Sequence, residues 1–294
     1  MKIGFLGTGI MGGHMARRLA AAGHAVRAWN RSPEKVAALA PHGVVPAATP
    51  GAALDGAGVA IVMLADGPAC DAVLFGGDAP VERLAPGATL IVMSSIPVET
   101  ARAQGARLAA RGVHYVDAPV SGGEPGARDG TLAIMAGGDA DAFAAAAPVF
   151  APLGRAMHVG PVGSGQLAKL ANQIIVGGTL VAIAEALELV RRGGADPAAV
   201  REAWLGGFGD SKVLRVLGER MVSGDFTPGS PAAYQLKDLR TAEAFADSLG
   251  VRLELLERII GLFQAVADRG EGGRDVSIVA REVARRAARR EEGE

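Results

Sequence analysis

Apolar residues along this chain follow two rhythms, one after the other. Through the first half, short β-branched runs alternate with alanine-rich stretches of helical period. The runs Lys2–Leu6, Ala25–Asn30, Val59–Leu64, Thr89–Ser94, Val113–Asp117, Leu132–Ala136 and Met157–Val159 read as strands, with a weaker one at Val44–Pro46. Between them Pro33–Leu39, Ala69–Phe75 and Glu99–Ala110 read as helices. Strands alternating with helices predict a mostly parallel, doubly wound sheet. The alternation stops near Gly160. From Gly165 to about Arg192 the only turn signal is the pair Gly177-Gly178, which would let a neighbouring helix pack closely. A helix of that length runs about 40 Å. Helical segments follow at Pro197–Trp204, Lys212–Met221, Tyr234–Leu249, Arg252–Asp268 and from about Val276, with no convincing strand. The expected architecture is an α/β domain over residues 1–162 and an all-α domain over 163–294, joined by a long helix at about 165–192.

The first strand runs straight into a glycine loop, Gly7-Thr8-Gly9-Ile10-Met11-Gly12. With 42 glycines in the chain the spacing alone says little. The order carries the signal: an apolar strand, the loop, then Met11, Met15 and Leu19 recurring every four residues. In a strand–turn–helix element of this kind the first glycine allows the turn and the second lets backbone approach a pyrophosphate. The third lets helix pack on strand, and the helix N-terminus offers its N–H groups to the phosphates. A merely tight turn is the bland alternative; in this context the loop is expected to bind a dinucleotide.

Composition narrows the class. The 294 residues suit two domains of ordinary size. The net charge of −1 gives no reason to expect nucleic acid or an anionic membrane as partner. Arg281, Arg285, Arg286, Arg289 and Arg290, followed by Glu291, Glu292 and Glu294, read as a solvated helix end rather than a binding patch. Cys70 is the only cysteine, so an intrachain disulfide is excluded and a reducing compartment fits. With the first strand expected to start at the second or third residue, no secretory signal is expected. The longest apolar stretch, Ile174 to Ala184, is shorter than the roughly 20 residues a bilayer requires. A cytoplasmic protein is expected. The five histidines, at 14, 24, 42, 114 and 158, show no ligand spacing, and no metal is expected.

The second strand ends Trp29-Asn30-Arg31-Ser32, where an acid would accept from the ribose hydroxyl of NAD. No acid stands there. Asn30 and Ser32 offer neutral hydrogen bonds, and Arg31 offers a planar, charged fork for a 2′-phosphate. NADP(H) is the preferred cofactor, with NAD(H) as the alternative. Two further segments carry chemistry. In Asp-Ala-Pro-Val-Ser-Gly-Gly at 117–123, the Ser121 hydroxyl beside Gly122 and Gly123 is either a seat for a carboxylate or a plain turn. In Gly-Ser-Gly-Gln-Leu-Ala-Lys-Leu-Ala-Asn-Gln at 163–173, Lys169 falls in the first turns of the long helix with Asn172 three residues on, on the same face. The helix dipole and partial burial both favour a neutral lysine, lowering its pKa from about 10.4 toward the range of an acid–base catalyst. A surface lysine is the commoner case for that residue type alone. Lys237-Asp238-Leu239 brings a second cation from the helical half.

These motifs resemble the β-hydroxyacid dehydrogenases, the group of 3-hydroxyisobutyrate dehydrogenase, tartronate semialdehyde reductase and glyoxylate/succinic semialdehyde reductase. The resemblance runs through nearly the whole chain: GFLGTGIMGGHMARRL at 4–19, SSIPVET at 94–100, DAPVSGG at 117–123, GSGQLAKLANQ at 163–173 and KDL at 237–239. It implies a Rossmann domain and a helical domain joined by a long helix. It also implies that Lys169 is the general acid and base, protonating a carbonyl oxygen in reduction and taking the hydroxyl proton in oxidation. Asn172, with Gln173 beside it, would bind and orient substrate, and Ser121, Gly122 and Gly123 would cradle its carboxylate. Leu64, Ala65, Ser95 and Lys237 fall where the family touches its cofactor.

Departures from the family pattern accompany the match. Gln173 stands where many members have a second asparagine, and Ala65 replaces a frequent proline. Ser230 and Pro231 replace larger or charged residues that many members place near the substrate, and the segment Phe208-Gly209-Asp210-Ser211 is variable across the family. The expected activity is reduction of a small aldehyde or keto acid to the hydroxy acid, with a small carboxylate as substrate and a homodimer or homotetramer as the assembly. The rival readings are a 6-phosphogluconate-type decarboxylating enzyme, which has a histidine where Asn172 stands; an imine reductase of the same architecture, which generally lacks the lysine; and a non-catalytic NADP-binding module.

Overall fold

The computed structural model describes residues 1–77 and 79–288. The chain divides into two compact units, Met1–Lys169 and the part from Leu170 on, so the division falls inside the long helix.

The first unit is built on nine strands: β1 (Lys2–Leu6), β2 (Ala25–Trp29), β3 (Val44–Pro46), β4 (Val59–Val62), β5 (Thr89–Val92), β6 (His114–Asp117), β7 (Val120–Ser121), β8 (Leu132–Gly138) and β9 (Gly154–Gly160). Every strand expected from the sequence is present, within a few residues at each end. The order β3-β2-β1-β4-β5-β6 is parallel throughout, with the crossover between β1 and β4 that marks a doubly wound sheet. Beyond it the sheet turns mixed. β6 and the short β7, which the sequence reading did not separate, pair antiparallel with successive parts of β8, and β9 runs parallel to β8. Pro119 lies between the β6 and β7 segments and has no N–H for a ladder.

Both faces of the central strands β1, β4 and β5 are buried, as a sheet covered by helices on each side requires, while β2 and β3 toward the edge are half exposed. Alternate residues feed two separate cores. Ile3, Phe5, Val59, Ile61 and Ile91 pack with Met15, Ala16 and Leu19 of the helix Ile10–Ala21. Leu6, Ala60, Val62, Leu90 and Val92 pack with Cys70 and Leu74 of the helix Gly67–Phe75 and with Ala101 and Leu108 of the helix Val98–Ala109. Short helices at Pro50–Leu54, Gly123–Asp129, Ala140–Ala145 and Ala147–Phe150 escaped the sequence reading. At four to seven residues each is too short for a helical period to show.

The long helix is continuous from Ser164 to Arg192. By length and composition it is apolar enough to cross a membrane, whereas its uninterrupted apolar stretch suggested a segment too short to do so. A core helix passes the same test, and Leu180, Ile183, Ala184 and Leu187 are buried.

In the second unit the helices Pro197–Trp204, Glu219–Ser223, Ala232–Ser248, Glu254–Asp268 and Val279–Ala288 follow. Gly177 has the expected role. A Cβ there would lie 3.0 Å from Ile259 and 3.1 Å from the Gln235 amide, so its absence lets two helices close on the long one. The helix expected over Lys212–Met221 is present, with a π-turn, Leu214–Gly218, inside it. Buried Arg201 donates to the carbonyls of Leu214 and Arg215 in this turn. The described arginines of the basic C-terminal helix are solvated and also paired: Arg285 with Glu271, and Arg286 with the buried Glu282. Arg289, Arg290, Glu291, Glu292 and Glu294 lie outside the described residues.

Candidate active site

The loops after β1, β4, β5 and β6 all leave the carboxyl edge of the parallel strands, where ligands bind in open α/β sheets. The glycine loop is the first of them. Gly7 has φ +100°, and a Cβ there would lie 2.2 Å from the Met63 carbonyl oxygen; at Gly12 it would lie 2.0 Å from the Gly7 carbonyl oxygen. The protein's own packing therefore demands both glycines. Gly9 is different. It caps the helix Ile10–Ala21 without a side chain, and nothing lies within 4 Å of where its Cβ would stand. The space beside Gly9 and the helix N-terminus is a cradle that a side chain would fill, and it suits a pyrophosphate. Ile10 is exposed and Met11 half-buried beside it. Thr8 Oγ1 is buried with no hydrogen-bond partner among the described residues.

Asn30 does more than the sequence assigned to it. Its Oδ1 accepts from the Thr8 amide at 3.1 Å and its Nδ2 donates to the Ser32 carbonyl at 3.2 Å, so the side chain braces the glycine loop from the end of β2. Arg31 is exposed, and Ser32 stands at the N-cap of the helix Pro33–Ala37 without a side-chain cap bond. Beyond β4, the Leu64 amide donates to Ser94 Oγ at 2.7 Å, with Ala65 exposed next to it. Ser95 is half-buried after β5. The buried Ser94, which sequence reasoning passed over, is thus the residue that ties the β4 and β5 loops together.

Asp117, at the end of β6, is fully buried and accepts from the Gly163 and Gln166 amides, each at 2.8 Å. Burial pushes its carboxyl up to about 6, and these backbone hydrogen bonds act against that rise. The aspartate caps the long helix, and the glycines around it explain the local sequence. Gly163 has φ +94°, and a Cβ on Gly165 would lie 2.3 Å from the Asp117 carbonyl oxygen. Gln166, buried, accepts from the Ile96 amide and donates to the Ser94 carbonyl, both at 3.0 Å. Lys169 follows three residues later on the same side of the helix and is 8% exposed, so it is no ordinary surface lysine.

Four residues beyond Asp117, Ser121 pairs with Ala133 of β8, while the carbonyl of Met135 in the same strand closes on Gly165. Gly122 and Gly123 have φ +135° and +61° and open the helix Gly123–Asp129. Successive left-handed residues turn backbone N–H groups outward in a way that suits an anion. His14 Nε2 lies 3.3 Å from Glu124 Oε1 and links the helix after the glycine loop to this turn.

Within the second unit the polar residues form a side-chain network. Gln173 Nε2 donates to Gln235 Oε1 at 3.0 Å and to Asp238 Oδ2 at 2.9 Å, and Asn172 Nδ2 donates to Gln173 Oε1 at 3.2 Å. Lys237 Nζ lies 3.0 Å from Asp238 Oδ1. Gln235 and Asp238 were missed by the sequence reading; the adjacent Lys237 was the one available signal for Asp238. Buried Asp275 holds the segment before this helix. Its Oδ2 accepts from Arg220 Nη1 at 2.8 Å and from the Gly229 and Ser230 amides, while Oδ1 accepts from Ser277 Oγ at 2.6 Å. Nothing in the sequence pointed to it. Among the described residues no group of three His, Cys, Asp or Glu side chains is placed to hold a metal ion.

Known proteins match this chain over most of its length. Residues 2–163 match the NAD binding domain of 6-phosphogluconate dehydrogenase, and residues 163–283 match the NAD-binding family of NADP-dependent 3-hydroxyisobutyrate dehydrogenase. The 2-hydroxy-3-oxopropionate reductase of Escherichia coli K12 is 41% identical over 274 residues, 92% of either chain. The structure of Mycobacterium tuberculosis 3-hydroxyisobutyrate dehydrogenase with L-serine is 31% identical and superposes with a TM-score of 0.85, covering 95% of this chain and 97% of that one. A reductive aminase from Aspergillus terreus in complex with NADPH and ethyl levulinate covers the same share of each chain but is 26% identical with a TM-score of 0.61.

Proposed function

The chain belongs to the β-hydroxyacid dehydrogenase family of NAD(P)-dependent oxidoreductases, and we propose that it is an NADP(H)-preferring reductase of a small aldehyde acid of the 2-hydroxy-3-oxopropionate or glyoxylate type. The observation that carries this reading is the buried Lys169 in the first turns of the long helix, held at the sheet's carboxyl edge. When bound, the nicotinamide supplies or accepts the hydride. The loop Gly7–Gly12, with Leu64, Ala65, Ser95 and Lys237, would hold the dinucleotide, and Arg31 with Ser32 would meet its 2′-phosphate. Ser121, Gly122 and Gly123 seat the substrate carboxylate through a hydroxyl and outward-turned amides. Asn172, steadied by Gln173, orients the carbonyl. Lys169 gives its proton to the carbonyl oxygen as negative charge develops there, and takes it back in the oxidation direction.

A panel of NADPH-dependent assays over 2-hydroxy-3-oxopropionate, glyoxylate, succinic semialdehyde and methylmalonate semialdehyde, repeated with NADH, tests the reading. Turnover of at least one of them, faster with NADPH, is expected. Inactivity on all four would favour the imine-reductase alternative, which the reductive aminase neighbour supports at a lower structural similarity. For the cofactor, Arg31→Ala should raise KM for NADPH about tenfold, the worth of one charge-assisted contact, and leave KM for NADH unchanged. Equal effects on both would remove the basis for NADP preference.

We also propose a homo-oligomer built on the second unit. Ile175, Leu189 and Phe208 are 69%, 75% and 113% exposed, and an apolar groove of about 580 Å³ runs along the long helix past Ile174, Gly178, Ala182 and Leu255. An exposed apolar surface of this kind suits a partner. Sedimentation of the intact chain as a monomer at micromolar concentration would contradict it.

A further inference from the structure

The long helix is tied down at two points before it reaches Lys169. Asp117 holds its first turn through the Gly163 and Gln166 amides. The second point is the Gln166 side chain, which uses both ends of its amide: it accepts from Ile96 N and donates to Ser94 O, each at 3.0 Å. Ser94 Oγ in turn takes the Leu64 amide at 2.7 Å. One continuous chain of hydrogen bonds therefore joins the β4 loop, the β5 loop and the helix, and its last member stands one turn before Lys169. A helix fixed only at its first amides can still rotate and slide. A second anchor off the axis removes that freedom.

We infer that Gln166 is a positioning residue for the reaction, setting the rotation and depth of Lys169 over the loops that hold the cofactor. The inference rests on the reading of Lys169 as the acid–base group. Packing alone does not explain the choice of side chain. Gln166 is 1% exposed, and an apolar residue of similar volume would fill the space without bringing an amide out of water. What glutamine adds is a donor and an acceptor on one flat group, matched to a carbonyl and an N–H two residues apart on the β5 loop. Displacements of about 1 Å between reacting groups cost on the order of 10²-fold in rate, so an anchor that fixes rotation is worth having even where the fold survives without it.

Gln166→Met keeps the volume and removes both bonds. It should lower kcat about 10²-fold. NADPH should still bind within threefold of the unaltered protein, because Ser94 Oγ still holds Leu64. The pH at which kcat/KM is half-maximal should also move, a change that a merely structural loss would not produce. Gln166→Glu gives a signature of its own. Protonated, the new carboxyl can donate to Ser94 O and accept from Ile96 N; ionised, it cannot donate. Its kcat relative to the unaltered protein should approach one near pH 5 and fall as pH rises. This ratio decides the matter even if Gln166→Met fails to fold. A flat ratio, or Gln166→Met with unaltered kcat and pH profile while Lys169→Ala is inactive, would overturn the positioning role and leave the lysine assignment standing. Activity retained in Lys169→Ala would overturn the underlying reading instead.

Discussion

Two buried aspartates do parallel work in the two units. Asp117 clamps the start of the helix that bears Lys169, and Asp275 clamps the segment that starts the helix bearing Lys237. They differ in what answers the charge. Asp275 faces the Arg220 guanidinium at 2.8 Å as well as two amides and the Ser277 hydroxyl. Asp117 is held by backbone amides, and burial drives its carboxyl up to about 6. At the first unit's edge the Asp117 charge leans on the N–H dipoles of a glycine-rich turn. The second unit's polar cluster is assembled from side chains, where a charge finds a countercharge.

The difference can be broken in three ways, the largest first. Asp275→Ala strands Arg220 and the Gly229 and Ser230 amides, and breaking a buried pair from one side typically costs about 3–5 kcal/mol. Urea unfolding should show a loss of that size; a loss below about 1 kcal/mol would mean that the pair does not organise the segment. Asp117 gives a loss that depends on pH. Its folded pKa lies above the usual carboxylate value, so the native state holds the proton longer than the unfolded chain does. The stabilisation belongs to the protonated form: it is complete below about pH 4 and is lost as pH rises to about 6, a change on the order of 3 kcal/mol. Asp117→Asn cannot ionise. Its stability relative to the unaltered protein should therefore rise across pH 4 to 6 and level off above, and parallel profiles would contradict the burial argument.

The third test divides the glycine loop against itself. Gly7→Ala meets a carbonyl and a strained φ, and it should destabilise by at least the roughly 1–3 kcal/mol of such strain. Gly9→Ala meets nothing in the protein. It should cost at most about 1 kcal/mol of stability, as a poorer helix cap, yet weaken NADPH binding tenfold or more. Fluorescence titration of NADPH alongside thermal unfolding separates the two effects. Unaltered NADPH binding in Gly9→Ala would place the pyrophosphate elsewhere.

The same contrast explains what the sequence revealed. Backbone-built features announce themselves through glycine: Gly7, Gly12, Gly163 and Gly165 are demanded by contacts of 2.0–2.3 Å or by left-handed φ, and each stood inside a readable motif. The strands, the long helix and the close approach at Gly177 were legible for the same reason, since period and glycine are local signals. Side-chain networks are not local. Gln173 meets Gln235 and Asp238 across 62 and 65 residues, and Asp275 meets Gly229 across 46. No spacing rule connects such pairs. Asn30 shows an intermediate case, because its position at the end of β2 was readable while its bond to the Thr8 amide was not. The antiparallel turn of the sheet at β8 was also hidden, since alternating apolar residues carry no strand direction.

In the proposed reaction Lys169 moves the proton, and the hydride comes from a dinucleotide held at the glycine edge. The most direct test is Lys169→Ala, with NADPH binding and turnover of an aldehyde acid measured on the same folded preparation. NADPH affinity should stay within about threefold of the unaltered protein and kcat/KM should fall by 10²-fold or more, within the usual span of about 10²–10⁴ for a positioned acid–base group. Turnover within tenfold of the unaltered protein would contradict this role of Lys169.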